Sequence, residues 1–404
     1  MRVHITPSRL SGSITPPASK SQCHRLVIAA ALSQGTSTLS QLSLSQDISA
    51  TMGCMRSLGA VIQGQQVTGI ARRGEASPLP ALECGESGST LRFLMPVALA
   101  VAGGGVFSGQ GRLMQRPMEP YERLFQEKHI RLTRSGQTLT VQGRLTPGRY
   151  ALRGDVSSQF ITGLLFALPL LEGESELVLT TPLESAGYVD MTIDALSRFG
   201  FQVLPIPGGW RIPGNQRGHA AHVTAEGDWS QAAFWLAAEA LGSPVTLSGM
   251  NDSSVQGDRV IRDYCRRLSG EGEVALDVSQ CPDLAPALAA VAALRTGEVT
   301  RLVNAGRLRM KESDRIESIT AALSRLGARV SAGADSITFT GVDRLTGGAC
   351  ESFRDHRIAM MLAIAATRAA GGVTVHGAEC VAKSYPRFWA DYAAAGGRIE
   401  EESE

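Results

Sequence analysis

Six times along the chain, a short cluster of small or polar residues runs straight into a long apolar stretch. The pattern appears as SKSQCHRLVIAAAL from Ser19, ESGSTLRFLMPVALA from Glu86 and DVSSQFITGLLFALPL from Asp155. It returns as GDWSQAAFWLAAEAL from Gly227, PDLAPALAAVAAL from Pro282 and DHRIAMMLAIAA from Asp355. Each run covers about three turns and is rich in Ala, Leu and Ile, which predicts a buried helix. Ser, Asp or Gly just before the run supplies an N-cap. The copies lie roughly 55 to 72 residues apart. That is too long for a solenoid of small repeats, but it suits a subdomain of a few strands and two helices.

Between the runs lie short alternating segments that predict strands: 138–145, 175–181, 201–206, 244–250, 328–332 and 336–341. Gly103-Gly104-Gly105 and Gly208-Gly209 mark turns between them. Six α/β subunits in 404 residues exceed one ordinary core and predict two domains of three, with the simplest boundary near Gly227-Asp228.

Composition narrows the function. The chain carries 39 basic and 38 acidic residues, without the basic excess of a nucleic-acid binder. An anionic ligand would therefore need a local cationic cluster. The start, MRVHITPSRL, has no signal-peptide pattern, and uncharged runs such as Leu284 to Leu294 are too short for a bilayer. A cytoplasmic protein with no membrane partner is expected. The seven cysteines are scattered with no C-x-x-C pair, which argues against a zinc site or a disulfide framework and for small buried hydrophobes.

The helix starts carry the candidate chemistry. A helix N-terminus offers unpaired N–H groups and about half a positive charge, so several aimed at one place would bind anions. Lys20, Ser21 and Arg25 stand at the first start. Gly85-Glu86-Ser87-Gly88-Ser89-Thr90-x-Arg92 enters the second through a glycine-rich turn that is neither a Walker loop nor a dinucleotide fingerprint. Ser157, Ser158 and Gln159 open the third, where one cap would suffice. Arg112 and Arg116 follow the second run in a loop. Arg309 to Arg315 is the densest charge cluster. If it is helical, Lys311 and Arg315 share a face with Glu312 beside them. Arg357 opens the last run, and Lys383 falls in the loop-like AKSYPRF.

Taken together, these motifs resemble the 5-enolpyruvylshikimate-3-phosphate synthase family. KESDRI, DHRIAM, SSQF and the K-S-x-x-x-R signature carry the resemblance, which runs from Lys20 to about Pro386. It implies an α/β two-domain enolpyruvyl transferase fold. Each domain would hold three βαβαββ repeats in an inside-out α/β barrel, with the active site in the interdomain cleft. Residues 1–18 would join 228–404, and 19–227 would form the other domain.

The implied reaction moves the enolpyruvyl group of phosphoenolpyruvate onto the 5-hydroxyl of shikimate 3-phosphate by addition and elimination. The implied acceptor site is Lys20, Ser21, Arg25, Ser157, Ser158, Gln159, Ser185, Asp283 and Lys311, with Tyr188 against the ring. The implied phosphoenolpyruvate site is Lys20, Gly88, Arg116, Gln159, Glu312, Arg315, Arg357 and Lys383. Asp283 would deprotonate the hydroxyl, and Glu312 and Lys20 would handle the other protons. The resemblance implies no metal and no cofactor, a monomer, and inhibition by glyphosate at the phosphoenolpyruvate site.

Three positions depart from the family pattern. Glu86 stands where many members have Asn, Arg307 where some have Asn, and Cys23 where Ser or Thr is usual. The UDP-N-acetylglucosamine enolpyruvyl transferases share the fold, but they usually have Lys-Asn at the first signature and a loop cysteine. Lys20-Ser21 and the cysteine-free stretch 112–120 fit them poorly. RNA 3′-phosphate cyclase shares the subdomain but not these motifs. An inactive anion-binding homologue would need substitutions at Lys20, Asp283, Glu312 or Arg315, and all four are present.

Overall fold

All six apolar runs are helical. The computed structural model describes residues 1–71 and 74–402. The chain forms two compact units, one of residues 20–226 and one of residues 1–19 with those from 227 onward. The first holds α1 (Lys20–Leu32), α2 (Gln46–Ser57), α3 (Gly88–Ala102), α4 (Glu119–Glu127), α5 (Ser158–Ala167) and α6 (Ala186–Arg198). The second holds α7 (Trp229–Ala240), α8 (Ile261–Leu268), α9 (Ala285–Ala292), α10 (Arg315–Arg325), α11 (His356–Ala366) and α12 (Phe388–Ala394). Among the described residues, no helix is long and apolar enough to cross a membrane.

The expected caps are in place. The side chains of Ser87, Ser157, Asp228 and Asp355 accept backbone N–H bonds at the starts of α3, α5, α7 and α11. The glycine run at 103–105 is less of a turn than expected. Gly103 ends α3 in the left-handed region at φ 73°, and Gly104 already begins the strand Gly104–Ser108. A side chain on Gly104 would strike the Val141 carbonyl of the neighbouring strand. Arg309 to Arg315 is not one helix, contrary to the shared-face geometry. Lys311 is extended, and α10 begins at Arg315 because Asp314 caps it by accepting from the Glu317 N–H.

Among the described residues, five of the six sheets share one plan. A first strand runs parallel to a second, the second pairs antiparallel with a third, and the third pairs antiparallel with a fourth. Ala81–Glu83, Gly104–Ser108, Thr138–Gln142 and Arg131–Ser135 show this order. In a second example, Gly348–Glu351 and Val373–His376 are followed by Arg2–Thr6 from the N-terminus, then Arg398–Glu402. The sixth sheet departs from the expected repeat, since Gly12–Ile14 and Val245–Leu247 pair in parallel and, among the described residues, no hairpin joins them.

In each unit three apolar helices are inside and the sheets outside. Helices α3 and α5 pack together, as do α1 and α6, and nearly every side chain of α1, α3 and α5 is buried. The strands alternate: in Thr138–Gln142, Leu139 and Val141 face the helices and Gln142 faces water. The other unit repeats the arrangement around α7, α9 and α11. Its aromatic cluster includes Trp235, Tyr385 and Phe388. Ala18 bridges Gly227, so the two points where the chain changes unit lie side by side.

Candidate active site

The unit of residues 20–226 gathers cations at helix starts. At the first turn of α1, Lys20 Nζ lies 2.8 Å from an Asp47 carboxylate oxygen. One turn on, Arg25 is 2% exposed. It donates to Thr192 Oγ1 at 2.8 Å, the Ser21 carbonyl at 2.6 Å and the Tyr188 carbonyl at 2.8 Å. These partners are a hydroxyl and two carbonyls, none of which neutralises a buried positive charge. Burial lowers the guanidinium pKa from its ordinary value, but arginine stays charged at neutral pH. The arrangement favours an anion at this helix start.

His24 is set apart from that role. Burial first, then Lys20 and Arg25, hold its pKa well below the usual histidine value, so it is neutral. Its Nδ1 pairs with Thr51 Oγ1 at 2.7 Å, and Thr51 in turn meets Thr90 of α3 at 2.7 Å. This chain of hydroxyls ties α1, α2 and α3 together beneath the charged ends.

At the start of α3, Gly88 permits a close approach. A methyl group there would sit 2.5 Å from Arg116 Nη1, so the guanidinium rests where a side chain would otherwise be. The Glu86 carboxylate lies against Gly111, on the loop leading to Arg116. At the start of α5, Gln159 is fixed from both sides. Its Oε1 accepts from Arg92 at 2.8 Å and its Nε2 donates to Ser89 at 3.1 Å. Ser157 caps this helix, and Ser158 is buried in its first turn. Ser185 precedes α6 in the left-handed region at φ 57°, and its carbonyl accepts from the Tyr188 N–H. The Tyr188 ring lies 5.9 Å from the Arg25 guanidinium.

The other unit builds a denser cluster around one carboxylate. Asp283 Oδ1 lies 3.2 Å from Lys311 Nζ and 2.9 Å from Arg315 Nη1, and its Oδ2 lies 3.1 Å from Arg357 Nη2. Arg315 also meets Glu312 at 2.8 Å and Asp355 at 2.8 Å. Asp355 further accepts from Ser313 Oγ and caps α11 through the Arg357 N–H. The group comprises three cations (Lys311, Arg315, Arg357) and three carboxylates (Asp283, Glu312, Asp355), so its charges balance. Lys383 adds a fourth cation, with Nζ 2.9 Å from the Arg354 carbonyl. Arg307 donates to the Ser279 carbonyl and acts electrostatically on Lys311.

Burial pushes the Asp283 carboxyl pKa up, but Arg357, Lys311 and Arg315 outweigh it and hold the group well below the ordinary carboxylate range. Burial lowers the Lys311 pKa, with Arg315 and Arg307 adding to the effect and Asp283 and Glu312 opposing it. For Arg315 the three carboxylates overcome burial and raise its pKa.

Three contributors were given no site role from the sequence. Asp47 pairs with Lys20 across 27 positions, Arg92 fixes Gln159 from another helix, and Asp355 anchors Arg315. Arg92 had a local signal, as the end of the glycine-rich motif, and so had Asp355, as the polar residue heading the last apolar run; Asp47 had none.

Comparison with known proteins identifies the family of the chain. A family model described as EPSP synthase (3-phosphoshikimate 1-carboxyvinyltransferase) matches residues 5–392. A 3-phosphoshikimate 1-carboxyvinyltransferase from Clostridium kluyveri is 43% identical over 422 aligned positions, covering 99% of this chain and 98% of that one. Its counterpart from Clostridium acetobutylicum is 44% identical over 421 positions, with the same coverage. These alignments are longer than the chain itself, so the relatives carry segments absent here. A solved EPSP synthase from Acinetobacter baumannii superposes with a TM-score of 0.80 at 26% identity, covering 99% of this chain and 100% of the other. The chain belongs to the EPSP synthase (3-phosphoshikimate 1-carboxyvinyltransferase) family.

Proposed function

We propose that this chain transfers the enolpyruvyl group of phosphoenolpyruvate to the 5-hydroxyl of shikimate 3-phosphate and releases phosphate. Beyond family membership, the supporting observation is the grip of Lys311, Arg315 and Arg357 on Asp283, which sets a base candidate among anion-binding cations. In this reading Ser21, Arg25, Ser157, Ser158, Gln159, Ser185 and Lys311 hold the acceptor. Lys20, Gly88, Arg116, Gln159, Arg315, Arg357 and Lys383 surround the donor.

The hydroxyl attacks C2 while C3 takes a proton; phosphate then leaves and C3 loses a proton. Asp283 takes the hydroxyl proton, and Glu312 and Lys20 serve C3 and the leaving phosphate. Such groups typically contribute about 10²- to 10⁴-fold. With three cations on it, Asp283 is ionised but weakly basic. Substrate phosphate and carboxylate would compete for Lys311 and Arg357, loosen that hold and raise its basicity once the acceptor is present. The remaining cations position the anions and stabilise developing charge. Glyphosate would compete at the donor subsite.

Phosphate release should be followed with phosphoenolpyruvate and either shikimate 3-phosphate or UDP-N-acetylglucosamine. Release only with shikimate 3-phosphate, lost in Lys20→Met and Glu312→Ala, is expected. Release only with the nucleotide sugar would overturn the acceptor, and binding of both substrates without release would overturn catalysis.

A further inference from the structure

Arg92, in the second turn of α3, is buried, and its guanidinium fork spans two segments of the candidate site. Nη1 donates to Gln159 Oε1 at 2.8 Å, and Nη2 donates to the Pro117 carbonyl at 2.8 Å. The guanidinium carbon also lies 4.7 Å from the centre of the Phe160 ring, a cation–π contact. Gln159 and Phe160 are neighbours at the start of α5, and Pro117 follows Arg116. One rigid planar group therefore touches both the glutamine shared by the two proposed substrate sites and the chain next to a proposed donor cation.

A second contact runs the other way. Tyr121 of α4, four residues after Pro117, is fully buried. Its O–H is shared between the carbonyls of Arg92 and Phe160, each 2.9 Å away. Burial raises the phenol pKa well above the ordinary tyrosine value, so the group keeps its proton and donates. The ring meets Phe160 edge-on at 4.8 Å. Gly163 makes room for this, since a methyl group there would strike both the Tyr121 hydroxyl and the Arg92 carbonyl. Segment 117–121 is thus tied to α3 and α5 at both of its ends.

Arg116 gains its aim from that tie. Its Nε is buried and meets no hydrogen-bond partner among the described residues, so that atom does nothing to orient the side chain. The backbone does more. The Pro117 ring fixes its own φ and keeps Arg116 extended, at φ −67° and ψ 143°. Holding the Pro117 carbonyl then leaves the Arg116 backbone little freedom.

We propose that Arg92 is a positioning residue that clamps Arg116 and Gln159 in one register, with Tyr121 completing the clamp. Donor and acceptor contacts are then set together by a group that need touch neither substrate.

Steady-state kinetics of single and double variants test this. Arg92→Lys keeps the charge but cannot hold both partners. It should raise the KM for phosphoenolpyruvate and for shikimate 3-phosphate roughly tenfold each, with kcat changed less. With Arg116→Lys added, the rise in donor KM should fall well short of the product of the two single effects. With Gln159→Ala added, the acceptor KM should show the same shortfall. Tyr121→Phe removes one hydroxyl. It should raise the donor KM and show the shortfall with Arg116→Lys, so it carries the test where Arg92→Lys does not fold. A merely structural arginine would lower the melting temperature and leave both KM values near wild type. That outcome, or single effects that multiply in full, overturns the proposal. The inference rests on the enolpyruvyl-transfer reading, and the two fail separately. A wild type that releases no phosphate defeats the reading, whereas unchanged or fully multiplying KM values in variants that turn over defeat the clamp alone.

Discussion

At Asp283, one carboxylate holds three cations, and this has a pH signature. A carboxyl whose pKa is depressed by folding contributes stability above its unfolded value of about 4 and loses it as pH falls through the folded value. The contribution should thus be complete at neutral pH and fade below the ordinary carboxylate range. Chemical denaturation from pH 7 down to acid should show Asp283→Asn less stable by about 3 kcal/mol at pH 7, because buried cations lose their partner, with a flatter acid limb. Equal acid slopes in both proteins would mean that Asp283 is not depressed. Gly88 makes a second case. A methyl group there meets Arg116 at 2.5 Å, so Gly88→Ala should displace the guanidinium and raise the KM for phosphoenolpyruvate roughly tenfold or more, with little change in the melting temperature. An unchanged KM would remove Arg116 from the donor subsite.

Among the elements, local pattern was a good guide where local physics decides. Six apolar runs became six helices, and the polar residues before four of them became side-chain caps. It failed where two local signals competed. In Arg309 to Arg315 charge spacing suggested a continuous helix, but the Asp314 side chain captures the Glu317 N–H and starts the helix late. The extended Lys311 that results reaches Asp283 without sharing a helix face with Arg315. Asp314→Ala should cost about 1 kcal/mol as a lost cap and fray the first turn that carries Arg315. Amide exchange at Glu317 and Ser318 would report it, and unchanged protection there would show that the ion pairs alone hold Arg315. Partnerships such as Lys20 with Asp47 were beyond local pattern, because tertiary folding sets their separation. The missing hairpin was equally hidden, since a short connection between a helix and a strand looks ordinary in one sequence.

For the whole molecule, the two units differ in how the chain supplies them. Residues 20–226 are contiguous and hold their own helices and three complete sheets. Expressed alone, this segment should unfold cooperatively, whereas 227–404 alone should not. The latter lacks Arg2–Thr6, the strand that pairs with Val373–His376 on one side and Arg398–Glu402 on the other. Supplying residues 1–19 as a peptide should restore cooperative unfolding, as circular dichroism melts would show; an independently stable 227–404 would contradict this. That strand also imposes an order on biosynthesis. Its partners are made last, so at about 5–20 residues per second the first strand leaves the ribosome roughly 20–70 s before it can be paired. During that wait the contiguous unit can finish folding. The N-terminal strand, with Val3 and Ile5 destined for the core, must meanwhile stay unpaired and exposed to chaperones or to neighbouring nascent chains.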